Sequence, residues 1–241
     1  FSVGKNIIQL ESGIKYGKDD HELLNFENDL IGVDFAARFG LLKEQLEISL
    51  IGNYISIDGQ FKNGTMQTFG FSNFERVTLG AKYLLYDPYK NGPDKPNLYS
   101  WKANRAFKWK SLIPAVALYA GANFNFDEEN PFAVPNEGEV TPRIELITQH
   151  VWSGGWVFVM NFIGDKITTD FPTYGGLFTL THSFAEKFAA FGEYQVFISD
   201  IYSDNIGRAG LAYLIGKNLQ VDISGLVNFK DTPSRWQVGA G

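Results

Sequence analysis

Segments of about ten residues that alternate apolar with polar or small side chains recur along almost the whole chain, separated by turn residues. Side chains of a β-strand point alternately to opposite faces. The pattern therefore constrains the chain to successive antiparallel hairpins with one apolar and one polar face. Residues 29–39 place Ile31, Val33, Phe35, Ala37 and Phe39 opposite Gly32, Asp34, Ala36 and Arg38. Residues 77–85 place Val77, Leu79, Ala81, Tyr83 and Leu85 opposite Thr78, Gly80, Lys82 and Leu84. Residues 220–227 place Val221, Ile223, Gly225 and Val227 opposite Gln220, Asp222, Ser224 and Leu226.

A water-soluble sandwich and a membrane-spanning barrel both satisfy this alternation, and the composition of the polar face separates them. A solvent face carries scattered Lys, Glu and Thr. Here that face is mostly Gly, Ala, Ser, Thr and Asn with a few charges of both signs: Lys15, Arg38, Lys82, Arg143 and Arg208 against Glu11, Asp34, Glu47, Glu145, Glu193 and Asp222. Small residues mixed with opposed charges suit a crowded lumen. The opposite face is aromatic-rich and nearly free of charge, as lipid requires, since a Lys or Arg at mid-bilayer costs roughly 2–4 kcal/mol. The fold expected is an all-β, membrane-spanning, antiparallel up-and-down β-barrel of about twelve strands.

Expected strands lie near 6–16, 29–39, 46–56, 75–86, 112–126, 141–151, 156–164, 175–183, 189–198, 206–214, 219–227 and 235–241, so residues 1–241 form a single barrel domain. Longer connections follow the odd strands (17–28, 57–74, 127–140, 165–174, 199–205 and 228–234), and tight turns follow most even ones (40–45, 152–155, 184–188 and 215–218). Short periplasmic turns and longer outer loops produce this asymmetry, which predicts an outer membrane of a Gram-negative bacterium with both termini facing the periplasm. The last strand holds only Arg235 to Gly241 and lacks a terminal aromatic, which predicts a natural chain continuing beyond Gly241.

Aromatic residues at 15% and 25 glycines fit interfacial girdles and close-packed strands. The absence of cysteine rules out disulfides and thiolate metal sites. A formal charge of −6 with no basic stripe argues against nucleic-acid binding. No uncharged run makes a transmembrane helix: 111–126 carries Pro114, Asn123 and Asn125, and Ser153-Gly154-Gly155 cuts 147–164 into a hairpin.

The connection 87–111 departs from the loop rule, being long where a short turn belongs. It is basic and aromatic, with Trp101, Lys102, Arg105, Lys108, Trp109 and Lys110. Such a segment suits lipid headgroups or a protein partner, and a tolerated insertion is the plainer reading.

Several stretches carry a family resemblance: Phe35-Ala36-Ala37-Arg38-Phe39-Gly40-Leu41 with Leu46-Glu47-Ile48; Val77-Thr78-Leu79-Gly80-Ala81-Lys82-Tyr83; Phe191-Gly192-Glu193-Tyr194; and Gly210-Leu211-Ala212-Tyr213-Leu214 through Asn218-Leu219-Gln220-Val221-Asp222-Ile223. In order and spacing the chain resembles the outer-membrane transporter family named for the MetA pathway of phenol degradation. The resemblance implies an outer-membrane β-barrel and passage of small, aromatic or hydrophobic molecules. The long basic connection departs from that pattern.

The functional candidates are the lumen charges Arg38, Glu47, Lys82, Arg143, Glu145, Glu193, Arg208 and Asp222, which would line a polar constriction in a conduit or fill and close a structural barrel. The expected function is passage or binding of small, hydrophobic or aromatic solutes; the alternative is a non-conducting accessory subunit of a larger outer-membrane complex. Expected partners are the bilayer, lipopolysaccharide, a small-molecule solute and outer-membrane proteins. No cofactor is expected. Enzymatic activity is not expected either: His182 and Ser183 are adjacent on a strand and point to opposite faces, so they form no nucleophile–base pair. His21 sits among Asp19, Asp20 and Glu22 in an acidic segment, and His150 falls near a strand end on the apolar face. The acidic stretch Asp127-Glu128-Glu129 with Glu137 and Glu139 reads as a solvated loop rather than a cation site.

Overall fold

The computed structural model describes residues 4–41, 43–62, 67–90 and 112–241. Through them run twelve strands: β1 (Ile8–His21), β2 (Phe26–Gly40), β3 (Leu46–Phe61), β4 (Thr68–Tyr86), β5 (Ala115–Phe124), β6 (Val140–Trp152), β7 (Trp156–Asp165), β8 (Thr173–Ser183), β9 (Phe188–Ile198), β10 (Asp204–Ile215), β11 (Leu219–Asn228) and β12 (Ser234–Ala240). Each pairs antiparallel with its sequence neighbours. β12 returns to β1, with Lys15 opposite Gly239 and Asp19 opposite Arg235, so the sheet closes. Closure gives every strand two neighbours, the condition for crossing a bilayer with strands, and residues 8–13 of β1 extend past the stretch that pairs with β12.

Residues directly opposite one another across a ladder share a face, so the registers sort side chains into outward and inward sets. The outward set is apolar around most of the barrel. Leu118 and Ile223, for example, are 47% and 62% exposed on its outer surface. Aromatic rings gather in two outward belts. Near the rim that carries the termini, Trp156 stacks on His182 at 4.1 Å and Phe188 packs on Tyr213 at 4.6 Å. Toward the opposite, far rim, Tyr16 meets Trp236 at 5.8 Å and Tyr54 meets Phe74 at 5.2 Å. Paired belts of this kind sit at the two bilayer interfaces. His150 and His182 lie on the outward face, and His150 Nε2 is 3.1 Å from the Leu112 carbonyl.

Tight turns close the rim of the termini. Between β6 and β7, in the three-residue turn between Trp152 and Trp156, Gly154 and Gly155 both have positive φ (82° and 79°), a conformation other residues avoid. This is why Ser153-Gly154-Gly155 interrupts an otherwise apolar run.

The expected strands all form, with one systematic difference. β1 to β4 continue toward the far rim through the stretches expected as loops at 17–28 and 57–74, leaving only 22–25 and 62–67 as connections. There the alternation persists but the apolar set changes face. Outward positions become polar: Lys18 pairs with Asp29 at 3.3 Å and Lys62 with Asp20 at 2.5 Å. Inward positions become apolar: Leu30, Ile55 and Ile57 form a buried cluster with Phe71 and Phe132 packed on it. The four strands rise out of the apolar band into water, and their inner face builds a small hydrophobic core of its own.

Candidate functional site

The registers place all eight predicted charges on the inward face. Glu47 lies opposite Gly40 and Lys82, Lys82 opposite Tyr119, and Tyr119 opposite Glu145. Arg143 lies opposite Asp165, Glu193 opposite Arg208, and Asp222 opposite Ala212. Arg38 shares the inward face of β2 with Asp34 and lies opposite Ser49.

These residues form separate groups rather than one cluster. On β1 to β4, the Arg38 guanidinium bonds Glu11 at 2.5 Å and lies 4.0 Å from Glu47, whose other oxygen accepts from Lys82 at 2.9 Å. Glu47 is only 3% exposed, and two cations compensate its desolvation. Lys15 pairs with Asp34 at 2.9 Å beside this group.

On β4 to β7, Arg143 bonds Glu145 at 2.6 Å and Asp165 at 2.7 Å. Asn123 donates to the other oxygen of Asp165 at 2.6 Å and accepts from the Thr78 hydroxyl at 2.6 Å. Thr78, Asn123, Thr141 and Asp165 are all buried, so this wall is braced by a continuous polar network in which each member satisfies the next. Tyr119 packs beside it across Gly80 and Gly121, positions where a side chain would collide with its ring.

On β8 to β11, Glu193 accepts from Thr179 at 2.7 Å and Gln195 at 2.5 Å. Arg208 donates twice to the Ser224 hydroxyl, at 3.2 and 3.0 Å, and lies 5.7 Å over the Phe191 ring. Glu193 and Arg208 stand opposite in register without forming an ion pair.

Glu75, Arg76, Asn123 and Asp165 are inward residues that sequence reasoning missed. Between Asn53/Arg76 and Tyr54/Phe74 the ladder slips by one residue, and Glu75 is the extra one. The bulge turns two consecutive charged side chains, Glu75 and Arg76, onto one cavity, where regular pleating would separate them. Glu75 is held by Asn53 Nδ2. Two adjacent charges inside a predicted strand were the available signal.

A cavity of about 1340 Å³ is lined by inward residues and also, beside the short β12, by outward ones such as Leu10, Ile14 and Val221. Its lining reaches from Gln9, Asn218 and Gly241 at the rim of the termini to Phe132, Val134 and Tyr202 at the far rim. The connection 125–139, expected as a solvated acidic loop, instead folds over the far mouth. Its Asp127 accepts from Asn73 at 2.9 Å, Asn130 donates to the Phe74 carbonyl at 2.9 Å, Phe132 packs on Phe71, and Glu137 pairs with Lys166 at 2.5 Å. Asp127 and Glu137 are tied to the barrel while Glu128, Glu129 and Glu139 stay exposed, as expected of a solvated loop, and Phe132 packs on the core made by β2 to β4. Among the described residues no group of three or more His, Asp or Glu side chains is arranged to hold a metal.

At the far rim Arg235 grips Asp19 with two bonds of 2.8 Å. Beside it, partial burial and a 2.6 Å hydrogen bond donated to Asp204 push the Tyr202 hydroxyl pKa well above its ordinary value. The hydrogen bond to Asp20 raises Lys62 in the same way. Trp101, Lys102, Arg105, Lys108, Trp109 and Lys110 lie outside the described residues. Before that segment Tyr89 accepts a hydrogen bond from the Val151 amide at 2.9 Å, and its hydroxyl lies 3.5 Å from the Ile113 carbonyl after it.

A closed twelve-strand antiparallel barrel, apolar outside and charged within, with aromatic belts at two levels, is a membrane-spanning barrel of the outer-membrane type. The chain belongs to the family described as "Putative MetA-pathway of phenol degradation", whose model matches residues 1–241. Its fold is similar to that of an outer-membrane channel from Pseudomonas putida F1, at a TM-score of 0.59 and 8% identity, covering 99% of this chain and 96% of that one. It is also similar to the β domain of the Bordetella autotransporter BrkA, at a TM-score of 0.52 and 10% identity over 95% and 96% of the two chains. No curated protein matches the chain in sequence.

Proposed function

We infer that this barrel is a passive path for small solutes across the outer membrane of a Gram-negative bacterium, with its termini on the periplasmic side and no covalent chemistry of its own. The observation that carries the reading is a cavity lined from one rim to the other. A twelve-strand barrel lies between filled eight-stranded barrels and open porins, and here most interior cations stand against the walls in ion pairs beside a cavity of about 1340 Å³. Arg38, Arg143, Arg208 and Asp222 give that space a polar, mixed-charge lining that sets which solutes pass, and Glu47, Lys82, Glu145 and Glu193 stand on the same inward face outside that lining and set its field. The apolar patch under Phe132 at the far mouth favours solutes with a hydrophobic part, in keeping with the family's link to phenol degradation. The outward apolar band contacts lipid, and the polar outer ends of β1 to β4 stand at the level of lipopolysaccharide headgroups.

Single-channel recording of the folded full chain in a planar bilayer tests this. Discrete openings, blocked by small aromatic solutes, are the expected result. A folded, heat-modifiable barrel that stays silent with a flux assay also negative would overturn the reading and support a closed accessory subunit.

A further inference from the structure

Five cations of the lumen wall, Lys15, Arg38, Lys82, Arg143 and Arg235, each meet a carboxylate. Among the described residues Arg76 and Arg208 do not. Arg76 has neither an ion-pair nor a hydrogen-bond partner, and Arg208 is steered only by the neutral Ser224 and Phe191. The two sit on β4 and β10, six strands apart in a closed ring of twelve, and therefore on opposite walls. Both line the same cavity.

A guanidinium presents its donors in a planar fork that matches a carboxylate, and donors left unpaired in a confined space are costly. The nearby acids do not supply the missing acceptor: Glu75 is held by Asn53, Glu145 and Asp165 by Arg143, and Glu193 by Thr179 and Gln195. Ile206, two residues before Arg208 on the same face, and Leu226, opposite Arg208, give the wall beside that guanidinium an apolar surface, and both line the cavity. The lumen wall also carries many carboxylates, so a bare inorganic anion gains little there. An anion with an apolar body gains from the fork and the wall together.

We propose that Arg76 and Arg208 form a two-sided binding point for organic carboxylates with an apolar body. This rests on the reading of the lumen as a solute path and names the solute class it takes. The probes are benzoate, its neutral isostere benzamide, and acetate, titrated calorimetrically into the folded full chain in detergent, so that binding is read without conduction. Benzoate should bind at least tenfold more tightly than benzamide or acetate. R76Q and R208Q should each weaken benzoate about tenfold and leave benzamide unchanged, while R208K, keeping the charge but losing the fork, falls between. K18Q, on the outer surface, serves as the control. Folding of each variant is checked by heat-modifiable migration, and R208Q with R208K suffices if R76Q fails to fold. Equal binding of benzoate and benzamide, or unchanged benzoate affinity in R208Q, overturns the proposal. Conductance without benzoate binding sinks the carboxylate site alone, and benzoate binding to a silent barrel sinks the solute path alone.

Discussion

Replacing Arg143 by Met offers a direct measure of how far the lumen behaves as a protein interior. Arg143, Glu145 and Asp165 expose only 11%, 13% and 12% of their side chains, and Arg143 holds both acids at 2.6 and 2.7 Å. Met preserves most of the volume and removes the charge, leaving two carboxylates close together. Breaking a buried pair by deleting one partner costs about 3–5 kcal/mol. Because Arg143 and Asp165 also touch the central cavity, water reaches them, and the expected loss lies near the lower end, about 3 kcal/mol. Neutralising the acids as well, in R143M/E145Q/D165N, should recover all but about 1 kcal/mol. The remaining Oδ1 at position 165 can still accept from Asn123 Nδ2, so the Thr78–Asn123 brace stays satisfied. The assay is equilibrium urea unfolding in lipid vesicles, followed by tryptophan fluorescence and by the folded-band shift on unheated gels. A single variant within about 0.5 kcal/mol of the parent would mean that the site is as wet as a surface pair. A triple variant no better than the single one would mean that the loss comes from packing rather than uncompensated charge.

Three further outcomes are expected. Ile223→Lys, on the outward face of β11, should impair insertion by roughly 2–4 kcal/mol while Gln220→Lys, on the inward face, is tolerated; equal effects in a vesicle-folding assay would refute the face assignment. Gly80→Ala should cost about 1–3 kcal/mol in urea unfolding, because the new methyl overlaps the buried Tyr119 ring, and adding Tyr119→Ala should recover part of it. In alkaline difference spectra of parent against Tyr202→Phe, the missing phenol should titrate above the ordinary tyrosine value of about 10; its contribution to stability is complete below that pH and lost as the pH rises through the folded-state value. A missing step at the ordinary position would show that the Asp204 contact is not formed.

Strand number, closure and the inward set were legible because period-two hydropathy is local, and a face that meets lipid tolerates almost no charge. The far ends of β1 to β4 were misread for the same reason. Lys18, Asp20 and Asp58 look like loop charges when strands are recognised by an apolar outward face, yet they are strand residues standing above the lipid. The lumen groupings were not legible, since which acid Arg143 meets depends on register: Glu145 lies two residues away, but Asp165 comes from the neighbouring strand. Alternation with Thr78 and Lys82 already puts Arg76 inward, but the single inserted residue that turns Glu75 onto the same cavity leaves no trace in alternation.

The reversal of polarity along β1 to β4 also acts as a waterline. On each of the four strands the outward face changes from apolar to polar within two residues, at Tyr16 and Lys18, Ile31 and Asp29, Tyr54 and Ser56, Phe74 and Ser72. Sinking the barrel by that distance would carry the Lys18–Asp29 pair toward hydrocarbon, and raising it would lift Ile31 and the ring of Tyr54 into water. Both displacements are opposed on the same side of the barrel. The depth and lean of the whole molecule in its membrane are thus set by one third of its circumference, and the remaining eight strands ride at the level those four dictate.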